Sequence, residues 1–269
     1  HVRSRRQRQM CIRDRPVMLV AGVVAWRVWR AEGGAAPVAV AGHSLGEYSA
    51  LVAAGVLTLA QAAPLVRLRA AAMQEAVPVG TGAMAAILGM EASKVIAGCA
   101  EALASFGPGT VEVVEAVNFN DPIQTVIAGT KAGVDKACEV LKAAGAKRAL
   151  PLPVSAPFHS SLMKPAAEKL RMALAEVALA TPQIPVVNNV DVVVQQDADA
   201  IREALYRQAF GPVRWVECVH ALKGRGVTHI IECGPGKVLA GLTKRIDPEL
   251  VGAALFDSAT LAETRELLA

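Results

Sequence analysis

Aromatic and charged residues are scarce in this chain of 269 residues, at 4% and 19%, whereas hydrophobic residues make up 53%. A chain with so many apolar residues can bury a large core, which argues against intrinsic disorder. The abundance of Ala, Val, Leu and Gly with few aromatics is typical of helices packed on a buried parallel sheet. The composition therefore predicts an α/β fold.

Long apolar runs and paired cysteines are also lacking. The apolar run at 17–26 is ten residues long, whereas a membrane span needs about 20, so we expect no membrane partner. The five cysteines form no Cys-x-x-Cys pair and no metal-type spacing with the five histidines. This pattern predicts neither a disulfide framework nor a metal site, and we expect a reducing, cytoplasmic location.

Positive charge is concentrated at the start of the sequence. Residues 1–15 contain six arginines and one aspartate, and the rest of the chain has 22 basic and 23 acidic residues. Nucleic-acid binding requires basic residues gathered on a folded face, so we expect no nucleic-acid partner. Residues 1–15 have neither apolar periodicity nor a helix cap, and we interpret them as a non-native or disordered basic arm.

Hydrophobic periodicity and turn residues divide the remaining chain into a large domain and an insert. Residues 83–153 follow the order β-α-β-β-α-β, which is typical of a ferredoxin-like subdomain. We therefore predict a large parallel-sheet α/β domain over 16–80 and 154–269, interrupted by a ferredoxin-like subdomain over 81–153. The large domain has predicted helices at 16–32, 45–55, 58–76, 161–178, 198–209 and 212–223 and from Lys237, and predicted strands at 37–41, 185–190 and 227–233.

A Gly-x-Ser-x-Gly motif, Gly42-His43-Ser44-Leu45-Gly46, lies between a predicted strand and a predicted helix. In this context the motif is typical of a strained turn that exposes a nucleophilic serine and requires small residues at 42 and 46. The Leu45 backbone N–H, in the first turn of the helix, would stabilise the charge on an attacked carbonyl. We predict Ser44 as nucleophile and Leu45 as oxyanion donor, the alternative being a chance string in a Gly-rich and Ala-rich chain.

A serine hydroxyl needs a base to become a nucleophile, and the base is usually a histidine. His159 lies on the irregular loop 154–159, where catalytic groups are often presented, and is our candidate base. The other histidines lie in the arm (His1), beside the nucleophile (His43), or in helix and strand patterns that suit structural roles (His220, His229). An α/β-hydrolase would carry its histidine near the C-terminus, yet 110 residues follow His159, which disfavours that class.

Six sequence strings occur in order over about residues 16–246: GHSLGEYSALVAAGVL, LRAAAMQEAVPVGTGAMAAILG, VNFNDP, AAGAKRALPLPVSAPFHSSLMKP, PVVNNVDV and GPGKVLAGLTKRI. Together they resemble the bacterial malonyl-CoA:acyl-carrier-protein transacylase family. The resemblance implies that Ser44 takes a malonyl group from malonyl-CoA and passes it to the phosphopantetheine thiol of acyl carrier protein, in fatty acid biosynthesis. It implies no cofactor and no metal, and we expect a monomer.

The resemblance also assigns residues around Ser44. The backbone carbonyl of Gln208 would orient His159 in place of a carboxylate, and Arg69 would bind the free malonyl carboxylate bidentately. Without the resemblance, Arg69 is interpreted as a solvated helix residue. Three further residues would line the pocket, although Met and Val at such positions are more often ordinary core: Asn120, Met73 and Val238.

The sequence departs from the family at two places. Nothing before Ser44 resembles the strand and Gly- and Gln-rich loop that supply the family's second oxyanion N–H, so we expect that the native N-terminus is lacking. Phe158 precedes His159 where the family often has a small residue, which would shift the acyl preference. Three alternatives stay open: an acyltransferase of a polyketide or polyunsaturated-fatty-acid pathway, a serine hydrolase, and an inactive fragment that only binds carrier protein.

Overall fold

The computed structural model describes the backbone of residues 2–154 and 156–269 and the side chains of residues 14–154 and 156–269. The helices are α1 (Val2–Ala31), α2 (Gly46–Ala53), α3 (Leu59–Glu75), α4 (Ala92–Ala104), α5 (Lys131–Ala143), α6 (Lys164–Ala175), α7 (Ala198–Phe210), α8 (Trp215–Lys223), α9 (Val238–Ile246) and α10 (Ser258–Leu267), with a 3₁₀ turn at Ser161–Met163. The strands are β1 (Val40–Ala41), β2 (Gly82–Leu88), β3 (Val114–Asp121), β4 (Gln124–Thr130), β5 (Arg148–Pro151), β6 (Val186–Val187), β7 (His229–Cys233) and β8 (Val251–Leu255).

Helix α1 begins well before its predicted start. It runs from Val2 and contains Pro16, so the predicted boundary at Pro16 is wrong and residues 2–15 have helical rather than irregular backbone. Arg15 lies over the ring of Phe158, with 5.0 Å from the guanidinium carbon to the ring centroid, and this contact attaches the helix to the loop of the candidate base. The prediction that the segment is non-native stays a prediction.

The other predicted helices of the large domain are present, and α3 shows why the sequence places one there. The Thr58 hydroxyl accepts a hydrogen bond from the Gln61 N–H while the Gln61 side chain accepts from the Thr58 N–H, which is a capping box. Helices α1, α2, α3, α6 and α7 pack around one apolar core, which includes the buried side chains of Leu19, Leu65 and Leu170. This core supports the turn that contains Ser44.

Parallel strands of the large domain form two separate pairs. Strand β1 pairs with β6 and β7 pairs with β8, both in parallel. Residues of β1 and of β7 line the same cavity of about 740 Å³. The α/β fold class is confirmed, although the parallel strands lie on two sides of this cavity and, among the described residues, form no single sheet. Strand β8 and helix α10 were not predicted.

The insert folds as predicted for a ferredoxin-like unit. Its four strands form one antiparallel sheet in the order β3-β4-β2-β5, with α4 and α5 packed against it. Leu141 of α5 and Gly98 of α4 meet closely, since a Cβ on Gly98 would lie 2.4 Å from Leu141 Cδ2. The unit joins the large domain through β3, whose Phe119 N–H donates to the Val213 carbonyl over 2.9 Å. The exact limits 81 and 153 stay predictions.

The apolar run at 17–26 lies on α1, where Leu19 and Val23 are buried in the core and the side chains of Val17, Met18, Val20 and Val24 are exposed. In the part of the molecule that the structure describes, no helix is both long and apolar enough to cross a membrane.

Candidate active site

The Gly-x-Ser-x-Gly motif forms a sharp turn between β1 and α2. Ser44 has φ of 53°, a left-handed conformation that is uncommon for a residue with a side chain and that is strained. The Ser44 N–H donates to Asn189 Oδ1 over 2.7 Å, and Asn189 Nδ2 donates to the Gly42 carbonyl over 2.8 Å. These two hydrogen bonds hold the turn from the side of β6.

The two glycines of the motif have different roles. A Cβ on Gly42 would lie 1.9 Å from the Gly46 carbonyl carbon, so residue 42 must be glycine. A Cβ on Gly46 would meet nothing within 4 Å, and the expectation that residue 46 must be small is wrong. The close approach is between the α-carbon of residue 42 and the backbone of residue 46, so only the first glycine is sterically required.

The predicted nucleophile and base lie within hydrogen-bond distance. Ser44 Oγ and His159 Nε2 are 2.7 Å apart, and His159 Nδ1 lies 2.9 Å from the Gln208 carbonyl oxygen. Because a carbonyl only accepts, His159 Nδ1 carries the proton and its Nε2 accepts the Ser44 hydroxyl proton. His159 has φ of 67°, so this loop is strained as well. The Gln208 carbonyl takes the place that an acid has in a Ser-His-Asp triad.

Burial keeps His159 neutral. The side chain is 4% exposed, and burial, followed by the nearby positive charge of Arg69, holds the pKa of His159 well below its usual value of 6.5. A neutral imidazole at physiological pH is the form that can remove a proton from a serine hydroxyl.

Arg69 lies beside the nucleophile rather than in solvent. It is 1% exposed, and its Nη2 donates to Ser44 Oγ over 3.1 Å and to Gln208 Oε1 over 3.0 Å. Within the described residues, its Nε and Nη1 atoms have no hydrogen-bond partner. A buried guanidinium with unpaired N–H groups is costly unless an anion completes it, so this site fits a carboxylate.

The Leu45 N–H is placed for an oxyanion. Leu45 is the N-cap residue of α2, and the following N–H groups, from Gly46, Glu47 and Tyr48, donate back to the carbonyls of residues 43–45. The Leu45 N–H itself makes no backbone hydrogen bond of this kind within the described chain. It is available to a negative charge that develops next to Ser44.

The structure brings two of the three predicted pocket residues to one cavity. Asn120 and Val238 both line the cavity of about 740 Å³ beside Gly42 and Leu45. His43 also lines it, and its Nε2 lies 2.8 Å from Asn120 Oδ1, which directs this histidine away from Ser44. Met73 is buried in the core of the large domain and does not line this cavity.

Sequence reasoning missed two polar residues of the site. Glu47 Oε2 accepts from the Asn189 N–H over 2.9 Å and from Gln208 Nε2 over 3.0 Å. The signals were available: Glu47 is an acidic residue in the first turn of α2, directly after the motif, and Asn189 lies near the end of the predicted strand 185–190, at the carboxyl edge of a parallel pair, where functional groups collect. Among the described residues, no three His, Cys, Asp or Glu side chains cluster to hold a metal ion.

Comparison with known proteins identifies a family and close relatives for this chain. A family model described as acyl transferase domain matches residues 14–245. The malonyl CoA-acyl carrier protein transacylase of Escherichia coli (strain K12) is 53% identical over 252 residues, covering 94% of this chain and 80% of that protein.

Solved structures share the fold as well as the sequence. An acyl-carrier-protein S-malonyltransferase from Burkholderia pseudomallei 1710b superposes with a TM-score of 0.92 and 63% identity, covering 96% of this chain and 82% of that one. A complex of a type II polyketide synthase acyl-carrier protein with its malonyl-transacylase gives a TM-score of 0.92 and 50% identity, covering 98% and 83%. The chain therefore belongs to the acyl transferase family and, within it, to the malonyl-CoA:acyl-carrier-protein transacylases.

Proposed function

We propose that this chain transfers a malonyl group from malonyl-CoA to the phosphopantetheine thiol of acyl carrier protein, as an [acyl-carrier-protein] S-malonyltransferase of fatty acid biosynthesis. One observation carries the proposal: Ser44 Oγ lies between a neutral histidine nitrogen, at 2.7 Å, and a buried guanidinium, at 3.1 Å. The first contact supports an acyl-enzyme mechanism, and the second supports an acyl group with its own carboxylate.

The first half-reaction loads the enzyme. The Ser44 hydroxyl proton moves to His159 Nε2 as Ser44 Oγ attacks the thioester carbon of malonyl-CoA, and the Leu45 N–H donates to the resulting oxyanion. The oxyanion then reforms its carbonyl, the C–S bond breaks, and the departing CoA sulfur takes the proton from His159. The Gln208 carbonyl keeps His159 oriented and accepts its Nδ1–H throughout.

The second half-reaction unloads the enzyme by the reverse sequence. The carrier-protein thiol gives its proton to His159 as its sulfur attacks the Ser44 ester, and Ser44 Oγ takes the proton back when it leaves. Each proton and acyl transfer is made by these side chains and the two thiols, so we propose that no cofactor takes part. The free N–H groups of Arg69 would bind the malonyl carboxylate in both half-reactions.

The carrier protein could instead belong to a polyketide pathway. The complex of a type II polyketide synthase acyl-carrier protein with its malonyl-transacylase, 50% identical to this chain, favours this second candidate. Both candidates share the malonyl half-reaction and differ only in the thiol that accepts the acyl group. Comparing transfer rates to the two kinds of carrier protein would separate them.

Two further expectations belong with this proposal. The described cysteines Cys99, Cys138, Cys218 and Cys233 are free thiols, which supports a reducing cytoplasmic location. We also propose that the protein acts as a monomer, which analytical ultracentrifugation would test.

Intact mass spectrometry after mixing the protein with malonyl-CoA tests the proposed function. We expect the mass of one malonyl group to be added to the wild type and to be absent from Ser44→Ala. Arg69→Ala should lose malonyl loading more than acetyl loading from acetyl-CoA, while Arg67→Ala, an exposed change on the same helix, should keep both. A wild-type protein that folds but acquires no malonyl group would refute the proposal.

A further inference from the structure

Glu47 is a buried ionisable residue that the transfer steps leave unused. It lies three residues after the nucleophile and is 2% exposed. Burial raises the pKa of its carboxyl to about 7. Burying a carboxyl is costly, and such groups persist where their hydrogen bonds position other groups.

Both hydrogen bonds of the Glu47 carboxyl reach residues that contact the reacting groups. Oε2 accepts from the Asn189 N–H over 2.9 Å, and the Asn189 side chain holds the turn at Ser44. The same Oε2 accepts from Gln208 Nε2 over 3.0 Å. Glu47 thus connects Asn189, which supports the turn at Ser44, with Gln208, which contacts Arg69.

The Gln208 carboxamide has one orientation that suits all its neighbours. Its Nε2 has two protons, one for Glu47 Oε2 and one for the Ser44 carbonyl at 2.9 Å. Its Oε1 then faces Arg69 and accepts from Nη2 over 3.0 Å. A rotated carboxamide would point an N–H donor at the guanidinium, which itself only donates. The acceptors at Glu47 and Ser44 therefore decide where Oε1 points.

We propose that Glu47 is a positioning residue for acyl selection: it fixes the Gln208 carboxamide, whose Oε1 in turn aims the Arg69 guanidinium at the acyl carboxylate. This inference rests on the proposed malonyl transfer. Glu47 acts through Gln208 and does not touch the substrate. The hydrogen-bond acceptor, rather than the negative charge, is what the role requires, because Gln208 Nε2 is a neutral donor.

Two variants of Glu47 separate the acceptor from the charge. Glu47→Gln keeps a carbonyl oxygen that can accept from Asn189 and Gln208, whereas Glu47→Met keeps the length of the side chain without any such acceptor. Glu101→Met, at an exposed carboxylate of α4, is the control for replacing an acidic residue. Single-turnover loading from malonyl-CoA and from acetyl-CoA gives the maximal rate and the half-saturating concentration for each.

Glu47→Met should raise the half-saturating concentration of malonyl-CoA by about 10-fold or more, and change acetyl loading by less than about 3-fold. Glu47→Gln and Glu101→Met should stay within about 3-fold of the wild type for both substrates. Equal losses for malonyl and acetyl in Glu47→Met would indicate a merely structural role and overturn the inference. Loss of malonyl preference in Glu47→Gln would also overturn it, since the charge would then be the cause.

Crystal structures of the same variants provide a readout that does not depend on activity. In Glu47→Met, the 3.0 Å contact between Gln208 Oε1 and Arg69 Nη2 should be lost, and in Glu47→Gln it should remain. An unchanged contact in Glu47→Met would overturn the inference whether or not the wild type accepts malonyl. Absence of malonyl loading in the wild type would instead refute the proposed function.

Gln208→Met tests the same connection if Glu47→Met does not fold. This change keeps the backbone carbonyl that orients His159 and removes the carboxamide that holds Arg69. It should raise the half-saturating concentration of malonyl-CoA by about 10-fold, as Glu47→Met does, with little change for acetyl-CoA. A Gln208→Met protein that loads malonyl and acetyl as the wild type does would show that no carboxamide positions Arg69, and the inference would fail.

Discussion

The ferredoxin-like subdomain and the large domain bury different kinds of residue. The subdomain has one continuous four-stranded sheet and a core of apolar side chains such as Ile87, Ile127 and Leu141. The large domain divides its parallel strands around a cavity and buries the polar residues Ser44, Glu47, Arg69, His159, Asn189 and Gln208. Burying polar and ionisable groups costs free energy, which apolar contacts elsewhere must offset. The comparison teaches that the catalytic residues are grouped in the large domain, whereas the insert is built mainly on an apolar core and contributes Asn120 to the cavity.

The largest effect is expected at the turn that contains the nucleophile. Gly42→Ala places a Cβ 1.9 Å from the Gly46 carbonyl carbon, and this clash with backbone should cost at least about 3 kcal/mol of folding free energy and about 10²-fold in acyl-enzyme formation. Gly46→Ala, whose Cβ meets open space, is the matched control. Urea unfolding measures the stability of each variant, and malonyl loading measures its rate of acyl-enzyme formation. Similar behaviour of the two variants would show that the turn is not sterically constrained.

A core change in the insert should affect stability without affecting chemistry. Leu141→Ala removes a fully buried side chain that packs against Gly98, and should cost about 4 kcal/mol of unfolding free energy. Ile96→Ala, at a half-exposed position of α4, should cost less than about 1 kcal/mol. In folded Leu141→Ala protein, the pH dependence of malonyl loading should match the wild type. A shifted pH profile would show that the core of the insert influences the catalytic residues of the large domain.

Stability of the large domain should depend on pH through Glu47. Its pKa is raised by burial from 4.5 to about 7, so between these values the folded state retains a proton that the unfolded state has released. Stability therefore falls as pH rises through this window, by up to about 3 kcal/mol at about 1.4 kcal/mol per unit. Glu47→Gln lacks this loss, so its stability relative to the wild type should increase from pH 5 to pH 8. Urea unfolding across this range checks it, and a constant difference between the two proteins would contradict it.

The smallest expected effect is a displaced pH profile. Burial and then the charge of Arg69 lower the pKa of His159, so loading from acetyl-CoA should persist below pH 6.5 and be lost only as pH falls through the lowered pKa. Arg69→Met removes that charge and should move the acid limb to higher pH. Arg67→Met, exposed on the same helix, should leave the limb in place. Equal profiles for the three proteins would show that Arg69 does not influence the base.

Local sequence patterns were enough to predict much of the fold and the nucleophile. The helix predicted over 58–76, the glycine at 42 and the β-α-β-β-α-β order depend on residues close in sequence, and the structure shows each of them. Short-range patterns of this kind fix backbone geometry directly. His159 and Ser44, 115 residues apart, lie together because the loop of His159 follows the end of the insert.

Long-range polar contacts could not be predicted in the same way. Asn189 reaches Ser44 because the parallel pairing of β1 with β6 places Ala41 beside Val187, and no periodicity in either segment specifies that register. The roles of Glu47 and of the Gln208 side chain depend on that register too. Helix α1 was assigned too short because Pro16 was interpreted as a helix start, although proline is tolerated inside a helix when other contacts offset the lost hydrogen bond.

The position of the cavity between β1 and β7 has a consequence for how long an acyl-enzyme lasts. In the described chain each of these strands is paired on one side only, so backbone groups on the other side need water as a partner. A space of about 740 Å³ is large enough to hold many water molecules. Gly42 and Leu45 line this space, whereas Ser44 and His159 do not and are only 7% and 4% exposed. The Ser44 ester is therefore shielded from water in this cavity, and we expect its half-life in the absence of a thiol acceptor to be insensitive to what fills the cavity.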